Sequence, residues 1–265
     1  MTIENDYEYR GLIARSWDFL RGDTSDFPDR LLFQQIIAGS GEPVLIVGCG
    51  TGRLLLEYAA KGVDVEGTDV SLEMVAICRQ KAKHLSLPVT LYVQGMEEID
   101  LPRRYQTIIV PSSAFQLVPD LLKAEKALQG FFKHLLPGGT LVMSIWHITS
   151  DRKPEWGDWW LVLNADGFED GMSIKRWERS MYDSVTQLRH NENRYELWEN
   201  GQLVYTEMHR QSPELRNYSL SQLTAMLEKA GFTGVHTLSG FSSYPASEDD
   251  EVFSIIGMRN ETLSK

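Results

Sequence analysis

The run Gly48-Cys49-Gly50-Thr51-Gly52, with Asp69 placed 21 positions after Gly48, is the part of this sequence whose residue types and spacing could hold a ligand. Glycine has no Cβ, so a turn built on three of them lets a bound molecule approach the backbone, and a helix N-terminus just beyond adds unpaired N–H groups. A carboxylate ending the next strand is placed to accept hydrogen bonds from both hydroxyls of a ribose. A dinucleotide fingerprint wants a third glycine three residues after the second, where the helix packs close and the pyrophosphate is received. Arg53 stands at that place. The pattern therefore suits a ligand without a diphosphate.

The elements that must position these residues follow from hydrophobic patterning. Residues 44–47 are an uninterrupted apolar run, which predicts a buried strand, and 53–60 predict the helix after the turn. A second strand is predicted at 63–69, after which Ser71 caps a helix striped by Met74, Ile77, Cys78 and Leu85. Residues 89–93 and 105–110 predict the third and fourth strands. Leu121, Ala124, Leu128, Phe132 and Leu135 stripe a helix closed by Pro137-Gly138-Gly139, and 140–146 are the fifth strand. Such alternation implies right-handed crossovers and a doubly wound, mostly parallel sheet, whose ligands sit beyond the carboxyl ends of the strands. Residues 48–52, 69, 95–97 and 111–116 all fall on that edge.

Upstream, helical patterns at 12–20 and 31–37 precede Gly39-Ser40-Gly41. They either cover a sheet edge or form a lid that places Tyr7, Tyr9, Arg15 or Trp17 over the ligand. Helical periodicity fades from 151 to 216, where Trp156, Trp159 and Trp160 form either the core of an insertion or a hydrophobic substrate wall. Residues 196–205 predict a hairpin with a type I′ turn at Asn200-Gly201, pairing Glu199 with Gln202, Trp198 with Leu203 and Leu197 with Val204. The α/β pattern then resumes. Ser219 and Gln222 form a capping box with Tyr218 and Leu223 as its staple, and strands at 235–238 and 252–258 finish the sheet as an antiparallel pair at one edge.

Taken in order, Val47-Gly48-Cys49-Gly50-Thr51-Gly52, Gly67-Thr68-Asp69-Val70-Ser71, Gln94-Gly95-Met96, Leu136-Pro137-Gly138-Gly139 and a terminal helix ending in Ala230-Gly231-Phe232 resemble the class I S-adenosylmethionine-dependent methyltransferases. The resemblance covers residues 40–150 and 217–260 and implies a Rossmann-like α/β fold: a doubly wound, mostly parallel seven-stranded sheet with an antiparallel β insertion after strand 5. The expected domains are an N-terminal helical lid at 1–40, a core at 41–150 and 217–265, and an insertion at 151–216 that covers substrate or contacts a second copy. The implied cofactor is S-adenosyl-L-methionine. Gly48, Cys49, Gly50 and Gly52 would line its methionine part, Asp69 would hold the ribose, and Val70 and Met74 would flank the adenine. Gly95, Met96 and Glu97 would meet the adenine edge, and Pro111, Ser112 and Ser113 would face the sulfonium, with Arg15 and Trp17 added from the lid. Two positions depart from the family pattern. Ile46 stands where members commonly carry an acid, and Met96 follows Gly95 where an aspartate is usual, which leaves Glu97 as the acceptor for the adenine amine.

Methyl transfer from a sulfonium is an in-line displacement, so such a protein mainly aligns the acceptor in a dry, shaped site. The 111–116 turn lacks the Asn/Asp-Pro-Pro-aromatic pattern of enzymes that methylate amino groups of DNA bases, the acidic ligands of metal-dependent catechol enzymes, and the cysteine nucleophile of cytosine C5 enzymes. A small-molecule acceptor, methylated on N, O or C, is expected. His147, just after the fifth strand, is the candidate general base; Gln116 and Tyr182 are candidates by position or polarity. The alternative reading is a catalytically inactive regulatory protein that binds S-adenosylmethionine or S-adenosylhomocysteine, motivated by Ile46 and the missing acid after Gly95. A nucleotide-dependent oxidoreductase comes third.

A net charge of -11 opposes a nucleic-acid partner, because such binding draws on Lys and Arg neutralising phosphates. Two cysteines suggest neither a disulfide framework nor a multi-cysteine metal site, and no metal is expected. With no basic-then-apolar leader in residues 1–10 and no run of eighteen apolar residues, a cytoplasmic protein without membrane insertion is expected. The β insertion is the candidate contact for a homodimer.

Overall fold

A computed structural model describes residues 9–147 and 155–260, apart from the side chains of 210–213. The chain divides into two compact units, one formed by the described residues of 1–26 and 150–216, the other by those of 27–149 and 217–265. The first unit contains α1 (Gly11–Arg21). The second opens with α2 (Asp29–Ser40) and continues through β1 (Val44–Val47), α3 (Arg53–Ala60), β2 (Val65–Asp69), α4 (Leu72–His84), β3 (Thr90–Val93), β4 (Tyr105–Val110), α5 (Leu121–His134) and β5 (Leu135–Trp146). The insertion then supplies β6 (Trp160–Phe168), β7 (Met172–Asp183), β8 (Leu188–Glu199) and β9 (Gln202–Arg216). The chain returns to the second unit with α6 (Leu220–Lys229), β10 (Thr233–Ser239) and β11 (Val252–Met258). Of the two N-terminal helices, α1 belongs to the unit of the insertion and α2 to the unit that carries the large sheet.

That sheet has seven strands in the order β10-β11-β5-β4-β1-β2-β3, with β11 antiparallel to both neighbours and the rest parallel. The apolar run of β1 has no polar alternation because both faces of the strand are covered: Leu45 and Val47 enter one core with Ile108, Val110 and Met143, while Val44 and Ile46 enter another with Ile109 and Val142. Chain order reverses between β1 and β4, so the crevice where a doubly wound sheet binds its ligand opens at their carboxyl ends. In α4 the buried face is Met74, Val75, Cys78 and Ala82, and Leu85, just past the last turn, is exposed.

The inserted sheet is antiparallel, in the order β6-β7-β8-β9. Asn200 and Gly201 both have positive φ, 50° and 79°, as the type I′ turn requires. Glu199 pairs with Gln202 and Trp198 with Leu203, but Leu197 faces Tyr205 rather than Val204, because a register shift between Leu197 and Trp198 leaves Val204 without an opposite residue. Trp156 and Trp160 are each 41 % exposed and so are not the core of the insertion. Cations interleave the tryptophans: Arg179 lies over Trp156 and Trp159, Arg194 over Trp159 and Trp177, and Lys175 over Trp198 at 3.9 Å. Glu196 accepts the indole N–H groups of Trp177 and Trp198, at 3.1 Å each.

Candidate functional site

The turn after β1 is pinned to β2 by the N–H groups of Gly48 and Cys49, both donated to the Thr68 carbonyl at 2.8 and 3.0 Å. Gly48 has φ +71°, and a Cβ there would lie 2.8 Å from the Cβ of Ala114, so its lack of a side chain lets the exit of β4 pack against this turn. Gly50 has φ +54°, and a Cβ on it would meet nothing within 4 Å, so the backbone at Gly50 borders open space. Gly52 then starts α3, where Arg53 ion-pairs with Asp29 of α2. Cys49 is buried, which pushes its thiol well above the usual range and keeps it a neutral filler of the turn.

Asp69 ends β2. Its Oδ2 accepts the N–H of Gly50 at 2.8 Å and its Oδ1 the N–H of Ser71 at 2.9 Å. Burial raises the pKa of this carboxyl, while those two N–H groups act in the other direction. Ser71 caps α4 by accepting the Met74 N–H. Beside Asp69, Val70 is 45 % and Leu72 54 % exposed, and Val93, at the end of the neighbouring strand β3, is exposed as well. The exit of β3 is tied to the same place by the Gln94 N–H, donated to the Asp69 carbonyl at 3.1 Å. The carboxylate of Glu97 folds back over Gly95, one oxygen lying 2.8 Å from where a Cβ on Gly95 would be.

At the exit of β4, Ser112 and Ser113 both adopt left-handed backbone, with φ of 54° and 59°. Two consecutive non-glycine residues in that region cost about 1–2 kcal/mol each, and such strain gathers at functional sites. At the end of β5, His147 Nδ1 lies 3.0 Å from the Tyr218 carbonyl oxygen. A carbonyl only accepts, so Nδ1 carries the proton of the neutral ring and Nε2 carries the lone pair. Among the described residues Nε2 makes no hydrogen bond.

Gly48, Cys49, Gly50, Gly52, Asp69, Val70, Gly95, Met96, Glu97, Pro111, Ser112, Ser113 and His147 are therefore gathered on one edge of one sheet. Four expected residues, Met74, Gln116, Arg15 and Trp17, lie elsewhere. Met74 is 1 % exposed and faces the core, so the apolar surface beside Asp69 is that of Val70, Leu72 and Val93. Gln116 is also 1 % exposed and both ends of its amide are bonded to the Trp146 backbone, so it is not a proton carrier. Arg15 and Trp17 belong to the other unit. There Arg15 is paired with both carboxylate oxygens of Glu169, and Trp17 stacks edge-on against Tyr9 under Arg21. Tyr182 lies on β7 of that unit, and Tyr7 is outside the described residues. Leu72 and Val93 escaped the sequence reading. Leu72 falls off the buried stripe of its own helix directly after the acid and the cap, and that was its available signal. Nothing in the residue types of Ser112-Ser113 announces left-handed backbone.

Residues 44–139 match the family model described as a methyltransferase domain. A putative methyltransferase of Geobacillus sp. is 24 % identical over 213 residues, covering 78 % of this chain and 81 % of that protein. The dTDP-3-amino-3,6-dideoxy-alpha-D-glucopyranose N,N-dimethyltransferase of Streptomyces fradiae is 26 % identical over 56 % of this chain, which spans only 58 % of that relative's length. Among solved structures, the sugar N-methyltransferase KedS8 from Streptoalloteichus sp. superposes with a TM-score of 0.73 over 98 % of this chain and 99 % of that one, at 19 % identity, and so speaks for the fold. Among the described residues, no helix is long and apolar enough to cross a membrane. Residues 44–139 thus match a methyltransferase domain, and the ordered turns that resemble the class I S-adenosylmethionine-dependent methyltransferases lie together on one edge of its sheet.

Proposed function

We propose that this protein transfers a methyl group from S-adenosylmethionine to a nitrogen, oxygen or carbon atom of a small molecule, and that a polar amine-bearing acceptor is the first to try. The observation that carries the reading is the hydrogen-bonded unit of Asp69 and Gly50. A half-buried carboxylate that has spent one acceptor site of each oxygen on backbone N–H groups keeps further lone pairs for a ribose diol, and the open backbone at Gly50 leaves room beside it. These residues fit the cofactor. When bound, it supplies an electrophilic methyl group on its sulfonium.

In this reading Gly48, Cys49, Gly50 and Gly52 line the methionine part, Asp69 binds the ribose hydroxyls, and Val70, with Leu72, offers the adenine an apolar face. Gly95, Met96 and Glu97 meet the adenine edge. Pro111, Ser112 and Ser113 shape the backbone beside the reacting atoms, and His147 accepts the proton of the acceptor at Nε2. Ile46 is buried in the core and offers the methionine ammonium nothing, so carbonyls of the glycine turn take that task. The inserted sheet carries a polar cluster of its own. Its Arg176, Glu178, Arg189 and Asn193 form a hydrogen-bonded polar set, a composition suited to a hydroxyl- or amine-bearing molecule. The relative named as an N,N-dimethyltransferase of an amino-dideoxyglucopyranose guides the choice of nitrogen.

The test is incubation with labelled S-adenosylmethionine and a metabolite panel that includes dTDP-linked aminosugars. A methylated product establishes the activity. Tight binding of S-adenosylhomocysteine with no product across amine, hydroxyl and carbon acceptors favours the regulatory alternative. A homodimer through the inserted sheet is a further part of the proposal, motivated by the edge strand β9 with Leu203, Val204, Tyr205 and Met208 exposed. Light scattering of the purified protein decides it.

A further inference from the structure

The parallel ladder between β4 and β5 ends at Val110 and Met143, yet β5 runs three residues further, to Trp146. On the β11 side Trp146 opposes Val252, and the following N–H, from His147, is donated to the Glu251 carbonyl at 2.7 Å. The N–H and C=O of Trp146 itself are met from elsewhere. Gln116 Nε2 donates to the Trp146 carbonyl at 2.9 Å, and Gln116 Oε1 accepts the Trp146 N–H at 2.8 Å. One side-chain amide thus supplies the donor and the acceptor that a residue of a continuing β4 would have supplied.

Glutamine is specific to this task. Methionine fills similar space with no donor, asparagine is a methylene shorter, and a carboxylate would set an acceptor against the Trp146 carbonyl. The orientation of the amide is dictated by its partners, since an N–H must meet the carbonyl and an oxygen must meet the N–H. The residue joined to Trp146 by the next peptide bond is His147, whose ring is held by the Tyr218 carbonyl and packs near Phe253.

We propose that Gln116 is a positioning residue for His147: by clasping both backbone groups of Trp146 it extends β5 past the end of its ladder and holds the imidazole in the tautomer that presents Nε2 as an acceptor. The proposal rests on the reading of His147 as the proton acceptor. It assigns to Gln116 no contact with substrate, in keeping with its burial.

The test uses the full-length protein labelled with 15N, at a pH where neutral imidazole dominates. In the wild type the imidazole correlations of His147 show the Nδ1–H tautomer, and the Trp146 amide exchanges slowly with solvent. In Gln116→Met the Trp146 amide exchanges about tenfold faster or more, as loss of a net hydrogen bond predicts, and the His147 signals average over both tautomers. Gln116→Met keeps the wild-type affinity for S-adenosylhomocysteine by calorimetry, which separates loss of positioning from general unfolding. Wild-type His147 signals in Gln116→Met overturn the proposal. Should that variant not fold, fast exchange of the Trp146 amide or an Nε2–H tautomer of His147 in the wild type overturns it equally. Failure of S-adenosylhomocysteine to bind the wild type would sink the methyltransferase reading while leaving the spectroscopic test of Gln116 intact.

Discussion

Oδ2 of Asp69 accepts the N–H of Gly50 at 2.8 Å, so the acid that ends β2 and the glycine turn that follows β1 are one hydrogen-bonded unit. Replacing the carboxylate removes the ligand's acceptor and frees the loop in the same stroke. Asp69→Ala is expected to weaken S-adenosylhomocysteine binding by about 10- to 100-fold, the cost of losing hydrogen bonds to a charged group. Isothermal titration checks it, and unchanged affinity would remove Asp69 from the site.

The same carboxyl gives the binding a pH dependence. Burial raises its folded pKa, against the N–H groups of Ser71 and Gly50. A raised acid stabilises the fold below its unfolded value and loses that contribution as pH rises through the folded value, so in the free protein the charged form is disfavoured. Ligand hydroxyls that donate to the carboxylate reverse this preference, and binding then releases a proton. Affinity is therefore expected to fall on acidification through a window lying above the ordinary aspartate value of about 3.9. Asp69→Asn should show weaker binding and a flat profile over that window. Titrations in buffers of different ionisation enthalpy read the proton directly.

The hydrophobic pattern made the parallel core legible, because buried strands such as β1 and capped helices such as α4 and α6 are local consequences of their own residues. The Ser219–Gln222 capping box and the Asn200-Gly201 turn are legible for the same reason. What escaped was set by distant partners. Leu197 meets Tyr205 because of a bulge that no pairwise count reveals, and α2 joins the large sheet through contacts such as Arg53 with Asp29 and Arg30 with Glu57. Gln116 read as a polar candidate because only the structure shows the two backbone groups of Trp146 to which it is bonded. Arg15 read as a ligand residue because its partner Glu169 lies 154 residues away in sequence.

Gly48→Ala tests how the two turns at the crevice fit together. The new methyl group would sit 2.8 Å from the Cβ of Ala114, on a residue whose φ of +71° already disfavours a side chain. Neither atom is the end of a flexible chain, so the backbone of one turn has to move. A destabilisation of about 2–3 kcal/mol is expected, the sum of left-handed strain and overpacking. Chemical denaturation measures it. A variant as stable as the wild type would show that the turn after β4 yields freely.

The amino end of α1 is closed by a strand. Glu207 of β9 accepts the Leu12 N–H at 2.8 Å and is bonded to His209 at 2.6 Å, while its carboxylate lies over Gly11, where a Cβ would be 2.6 Å from both oxygens. Burial opposes the charge, but the bonds from His209 and Leu12 outweigh it and hold the carboxyl below its usual range. An acid with a lowered folded pKa stabilises the fold above its unfolded value, about 4.3 for glutamate, and that contribution disappears as pH falls through the folded value. Two substitutions probe the contact from its two sides. Glu207→Gln weakens the acceptor, and Gly11→Ala drives a methyl group into it from a φ of +58°. Each is expected to speed amide exchange over residues 12–16 by about tenfold, the effect of losing a helix cap, with exchange in β1 and β4 unchanged. Mass-resolved hydrogen exchange reads both regions at once, and unchanged protection of α1 in the two variants would mean that the helix is held by its apolar face alone.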